Sequence, residues 1–206
     1  MQLGLIGLGA MGGSMAKRLG RDHRVVVYDL DAEAVRSAVA AAAVPAAWFG
    51  LLIAVPAVLV ADGWEPWQVG TLLVPSALVA MVVPRLTGPM LSRIGPSRSL
   101  AVSASSASVA LLVAAFGVGL DHVTVIAVAV VLVTFAFLLG QPALSAAVGQ
   151  AVPAEVRGVA LGVATLVFLT GGSVGSAVVG GVGDTVGMGV ALLVLAALPL
   201  LGLLAL

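Results

Sequence analysis

Apolar positions in this chain fall into long runs without a single charge. Six such runs follow one another, at residues 37–61, 66–84, 99–120, 122–154, 158–183 and 185–206. A helix needs about 20 apolar residues to cross a hydrocarbon core of about 30 Å. Five runs reach that length and the second falls just short. Trimmed at their polar and glycine or proline breakers, they predict spans near 44–61, 68–88, 99–119, 124–147, 158–182 and 187–206. The connections are short, among them Asp62-Gly63-Trp64-Glu65-Pro66-Trp67, Arg93-Ile94-Gly95-Pro96-Ser97-Arg98 and Gly183-Asp184. The first 36 residues are of another kind. They carry nine charged side chains, as many as the rest of the chain.

Composition narrows the class. Hydrophobic residues make up 61% and charged residues 9%, and the mean hydropathy is +1.23. Ordinary soluble domains hold roughly 25% charged residues, so a wholly soluble chain and a disordered chain are both excluded. Net charge is zero and no basic tract occurs, so nucleic acid is not an expected partner. Cysteine is absent. That removes disulfides, thiolate metal sites, iron–sulfur clusters and cysteine nucleophiles. His23 and His122 are too few and too far apart for a metal site.

Charge also predicts orientation. With both termini in the cytoplasm, Lys17, Arg18, Arg21, Arg24, Arg36, Arg93, Arg98 and Arg157 fall inside, and Arg85 can snorkel inward from its span. The opposite turns hold Asp62, Glu65, Asp121 and Asp184. The expected localisation is the cell membrane, multi-pass, with the bilayer as the first partner. Residues 1–13 are no signal peptide, since the basic residues follow the apolar stretch rather than precede it.

The start of the chain holds a nucleotide-type pattern. Met1 to Gly7 reads as a short buried strand, and Gly7-Leu8-Gly9-Ala10-Met11-Gly12 fits G-x-G-x-x-G. A helix then carries Met11, Met15 and Leu19, and Val25 to Tyr28 reads as a second strand closed by Asp29. In such a unit Gly7 permits the tight turn, Gly9 admits a pyrophosphate, and Gly12 allows close helix–strand packing. Asp29, 22 residues after Gly7, stands where an acid accepts the ribose hydroxyl.

Residues 1–38 resemble the N-terminal start of the 6-phosphogluconate and 3-hydroxyisobutyrate dehydrogenase family, carried by Gly4 to Leu19 and Val26 to Asp29. The resemblance implies a truncated Rossmann-like βαβ segment with Gly7, Gly9, Ala10, Met11, Gly12 and Asp29 as cofactor-binding residues. It implies NAD rather than NADP, because Leu30 stands between acids where NADP-preferring members place a basic residue. The family's substrate domain and catalytic lysine have no counterpart. The single lysine, Lys17, lies in the first helix. No catalytic residue is assigned, no cofactor is expected to be required, and enzyme activity is not expected.

Residues 45–206 resemble the C-terminal half of a major facilitator superfamily transporter, nearest to multidrug:proton antiporters. The resemblance is carried by Trp67 to Leu78, by Pro84 to Pro96, and by Val152 to Gly162 running into Gly171-Gly172-Ser173-Val174-Gly175-Ser176. Gly88, Arg93 and Gly95 match the family's cytoplasmic loop motif G-x-x-x-D-R-x-G, with Ser92 in place of the acid. The implied fold is mainly α, a six-helix membrane bundle preceded by the βαβ segment, with residues 39–44 as the junction. The implied function is transmembrane transport of small molecules of the drug-efflux kind, with a second transporter half or a homodimer as partner.

Within the spans, Gln141-Pro142 marks a candidate transport path, because a proline breaks a backbone hydrogen bond as transporter helices often do. For Gln141, cavity lining and interhelical hydrogen bonding both stay open. Gly171-x-x-x-Gly175, Ser176-x-x-x-Gly180 and Ala177-x-x-x-Gly181 are expected as packing stripes. Ser103, Ser105, Ser106 and Ser108 are expected to bond backbone carbonyls. Trp48, Trp64 and Trp67 are expected as interfacial anchors. No ionisable residue sits at the centre of a span, which leaves no proton carrier. Three readings remain: a membrane protein of transporter descent, an NAD(P)-binding oxidoreductase judged from residues 1–38, and a non-functional fusion joined near Ala38–Val44.

Overall fold

The computed structural model describes residues 2–6, 24–28, 32–152 and 154–205. Strands β1 (Gln2–Ile6) and β2 (Arg24–Tyr28) pair in parallel, from Gln2 against Arg24 to Ile6 against Tyr28. The glycine fingerprint from Gly7 to Gly12, and Asp29, lie outside the described residues. The body of the structure is all helical. Among the described residues the helices are α1 (Ala32–Ala61), α2 (Pro66–Ile94), α3 (Pro96–Gly119), α4 (Val123–Ala151), α5 (Arg157–Val186) and α6 (Met188–Ala205). A single 3₁₀ turn, Ala154–Val156, precedes α5.

Five helices are long and apolar enough to cross a membrane: Ala41–Ala61 of α1, then α2, α3, α4 and α5. The sixth, α6, is equally apolar but shorter, at 18 residues. At 1.5 Å per residue it reaches about 27 Å. Several helices outrun their sequence-predicted spans, because helical hydrogen bonding continues past the apolar stretch into the polar turns. At the start of α1 the difference changes the picture. Residues 39–44, expected as a junction, lie inside one unbroken helix. Alanine has the highest helix propensity of any residue, and Ala40 to Ala43 are all alanine.

Breaks between helices are made by local chemistry. Pro66 opens α2, and the Glu65 backbone N–H donates to Gln68 Oε1 at 2.8 Å. Gly95, at φ 81°, ends α2 and lets Pro96 open α3 directly. Gly187, at φ 96°, separates α5 from α6. Both glycines hold a left-handed backbone that side chains disfavour.

Packing rests on small residues. Ala47, Ala107, Ala110, Ala114, Ala129, Ala136 and Ala143 are completely buried. Lipid tails are as apolar as leucine, so membrane helices associate through close van der Waals contact and hydrogen bonds, which small residues allow. Helix α1 sits centrally against α3, α4, α5 and α6, while α3 lies between α4 and α6. The tightest contact joins α1 to α5. A Cβ added to Gly171 would enter the Ala42 carbonyl, and one on Gly175 would enter the Ala46 carbonyl. The equal offset shows the two helices running parallel in register. The other expected stripes do not pack this way, since Gly180 and Gly181 have open space around them. Helix α2 stands outermost, with only Val69, Val83 and Thr87 buried.

Candidate functional site

Two proline-containing helices face each other where α2 leans on α4. Pro84, Thr87, Gly88 and Leu91 form one face of α2 at helical spacing. Leu138, Gln141, Pro142 and Ser145 repeat that spacing on α4. Between them lies an open groove of about 510 Å³. Gln141, Pro142 and Ser145 are exposed to it. None of the lining residues carries a charge. Prolines shape both walls. Pro84 has no N–H for the Ala80 carbonyl, and Pro142 has none for the Leu138 carbonyl. The Ser145 hydroxyl donates to the Gln141 backbone carbonyl at 3.1 Å.

Gln141 also touches the other side. With Leu144 and Ser145 it meets Leu161, Ala164, Thr165 and Phe168 of α5 across a hollow of only about 10 Å³, at the lower limit for one water. Gln141 therefore lines a cavity, and its side chain stands on the ridge of α4 between α2 and α5. The loop-motif residues divide. Gly88 lies on the groove wall with free space before it, Arg93 is exposed in the last turn of α2, and Gly95 forms the helix break.

An aromatic cluster went unread in the sequence. Trp48 stacks on Phe137, with ring centroids 4.8 Å apart and planes at 26°. Phe49 meets both edge-on, and Phe137 leans on Phe168 at 5.6 Å. Trp48 is thus a packing residue between α1 and α4. Phe49 also presses on α5 where Gly172 leaves room, since a Cβ there would come within 2.5 Å of the ring. The pairing joins three helices, so no local periodicity announces it. Trp67 is 69% exposed at the start of α2 and Trp64 packs partly into the core.

The serines of α3 also divide. Ser103 Oγ donates to the Ala136 carbonyl of α4 at 2.6 Å, through the space left by Gly140. Ser108 Oγ reaches the Ala196 carbonyl of α6 at 3.5 Å. Ser105 bonds its own helix at Ala101. Two of these serines therefore join helices rather than merely satisfying their own backbone.

Helix directions alternate. Ser103 against Ala136 and Gly117 against Ile126 run α3 and α4 antiparallel. Ser108 against Ala196 and Gly189 against Ala115 do the same for α3 and α6. The turns around Asp62, Asp121 and Gly187 consequently share one end of the bundle, and those around Gly95 and Val152 share the other. Among the described residues no cluster of His, Cys, Asp and Glu could hold a metal ion.

Such a fold, six apolar helices alternating in direction around small-residue contacts, is that of a multi-pass membrane protein. The family model of the Major Facilitator Superfamily matches residues 23–176, and the chain belongs to that superfamily. It is a transporter-like membrane protein. No curated protein and no solved structure matches the chain. The matched residues begin after the glycine run and take in β2, Asp29 and residues 39–44. The transporter likeness therefore starts earlier than residue 45, and nothing in these comparisons supports a dehydrogenase segment at residues 1–38.

Proposed function

We propose that the chain forms one six-helix half of a transporter passing small amphipathic molecules of the drug-efflux kind. The observation carrying this reading is the groove between α2 and α4. Its walls each carry a proline, Pro84 and Pro142, and a polar side chain, Gln141, is set among mostly apolar ones. In this superfamily the pathway lies between two halves related by an axis along the membrane normal. The groove lies open between its two walls, as half of such a pathway would. Its complement is a second six-helix unit, either another transporter half or a second copy of this chain. A C₂ dimer gives both copies one topology.

Both termini are proposed to face the cytoplasm. Arg85, Arg93, Arg98 and Arg157 gather toward one end of the bundle, while Asp62, Glu65, Asp121 and Asp184 mark the other. Proton coupling is not part of the reading, because no groove residue is ionisable. No cofactor is required either. A dinucleotide site needs two mononucleotide-binding halves of a sheet, and residues 1–38 supply less than one.

The test uses an uncharged fluorescent dye, whose distribution does not follow the membrane potential. Cells producing the chain should equilibrate it down its gradient faster than empty-vector cells, with or without an uncoupler. Equal rates in both cell lines would overturn the transport reading. Uncoupler-sensitive efflux would overturn the uncoupled mechanism.

A further inference from the structure

From the polar groups of the α2–α4 groove we infer its ligand class: an uncharged amphiphile bearing a hydrogen-bond donor, with cations excluded. The inference rests on the transporter reading above and concerns the same groove. Its polar equipment is small and uncharged. The Gln141 side chain offers one carbonyl acceptor and two amide N–H donors. Beside it, the Leu138 carbonyl receives no N–H from Pro142. Ser145 already donates to the Gln141 backbone. The remaining walls, Pro84, Gly88, Leu91 and the Leu138 side chain, are apolar apart from Thr87. The Gln141 amide and the Leu138 carbonyl within a turn of helix, with the Thr87 hydroxyl on the facing helix, suit a neutral N–H or O–H group attached to an apolar body.

A cation finds no counter-charge there. The acids Asp62, Glu65, Asp121, Glu155 and Asp184 lie in turns or at helix ends, and none lines the groove. A desolvated charge without a partner is strongly disfavoured. Aromatic faces can replace a carboxylate in binding cations, but no aromatic ring is among the residues lining this groove. The Trp48 ring is stacked on Phe137, and Phe168 is 1% exposed.

The experiment places the full chain in zwitterionic nanodiscs and titrates N-phenyl-1-naphthylamine, an uncharged dye with one N–H. Its quaternary trimethylammonium derivative and empty discs serve as comparisons. The neutral dye should bind saturably above empty discs, at least about tenfold more tightly than the cation. Gln141→Leu should weaken it roughly 3- to 10-fold, the worth of one hydrogen bond. Pro142→Ala, which returns an N–H to the Leu138 carbonyl, should weaken it similarly without touching Gln141. Gln141→Glu should reverse the preference toward the cation. Equal binding of both dyes, indifference to all three substitutions, or no saturable binding to the unaltered chain would overturn the inference. Dye equilibration in cells judges the underlying reading separately. Carriage without this selectivity sinks the ligand class alone, and absence of both sinks both.

Discussion

Substituting Gly175 with alanine tests the closest helix contact in the structure. A methyl group there would occupy the space of the Ala46 carbonyl, and Gly171 stands in the same relation to Ala42 one turn away. Both obstacles are backbone, so no side chain can rotate out of the way. To restore van der Waals separation near 3.5 Å, α1 and α5 must part by on the order of 1 Å. Overpacking of this kind costs about 1–3 kcal/mol. Against it stands the better helix propensity of alanine, about 1 kcal/mol in soluble helices. Gly162, on the same helix, is the control, since an added Cβ there meets nothing within 4 Å. Gly162→Ala should leave stability unchanged or raise it by up to about 1 kcal/mol. At about 2–4 °C per kcal/mol for a chain of this size, Gly175→Ala should melt several degrees below Gly162→Ala. The chain has no cysteine, so a thiol-reactive dye reports nothing. Loss of helical circular dichroism on heating in detergent is the suitable assay. Equal melting of the two variants would refute the close approach of α1 and α5.

Three further outcomes are expected. Ser103→Ala should destabilise the bundle by about 0.6–2 kcal/mol, the range for interhelical hydrogen bonds in membranes, whereas Ser105→Ala, which loses only a bond within its own helix, should change melting little; the same heating assay compares them. Reporter fusions at residues 63, 121 and 185 should read as extracytoplasmic and those at 96, 154 and the C-terminus as cytoplasmic, and a cytoplasmic signal at 121 would sink the six-span topology. Calorimetric titration with NAD should show no saturable binding in the micromolar range, about −8 kcal/mol; tight binding abolished by Gly9→Val would establish a working fingerprint.

Much was legible in the sequence because lipid imposes a simple rule. A spanning backbone must satisfy its own hydrogen bonds, so an apolar run of sufficient length becomes a helix. The runs between charges therefore located the six described helices, and Gly95 marked one of the breaks. Gly183-Asp184, expected as a connection, lies inside α5, and Gly187 makes that break. The rule does not set where α1 begins. A charge-free run shows where lipid can be tolerated, not where a helix begins, and alanine carried α1 through residues 39–44. Gln141 stood out by chemistry, as a lone amide beside a proline in an apolar run.

Tertiary structure decided which candidates meet. Three small-residue stripes looked alike in α5, but only the one with Gly171 and Gly175 faces α1. Spacing defines stripes on a helix, while the neighbouring helix selects among them. Four serines in α3 looked equivalent, and Ser103 reaches another helix because Gly140 clears its way. The Trp48–Phe137–Phe168 cluster and the groove between Pro84 and Pro142 each join residues far apart in the chain. Sequence alone determined that helices here are long and apolar enough to cross a membrane, since that depends on each helix's own length and polarity. What lies beside Gln141 depends on how the helices pack, and no single helix carries that information.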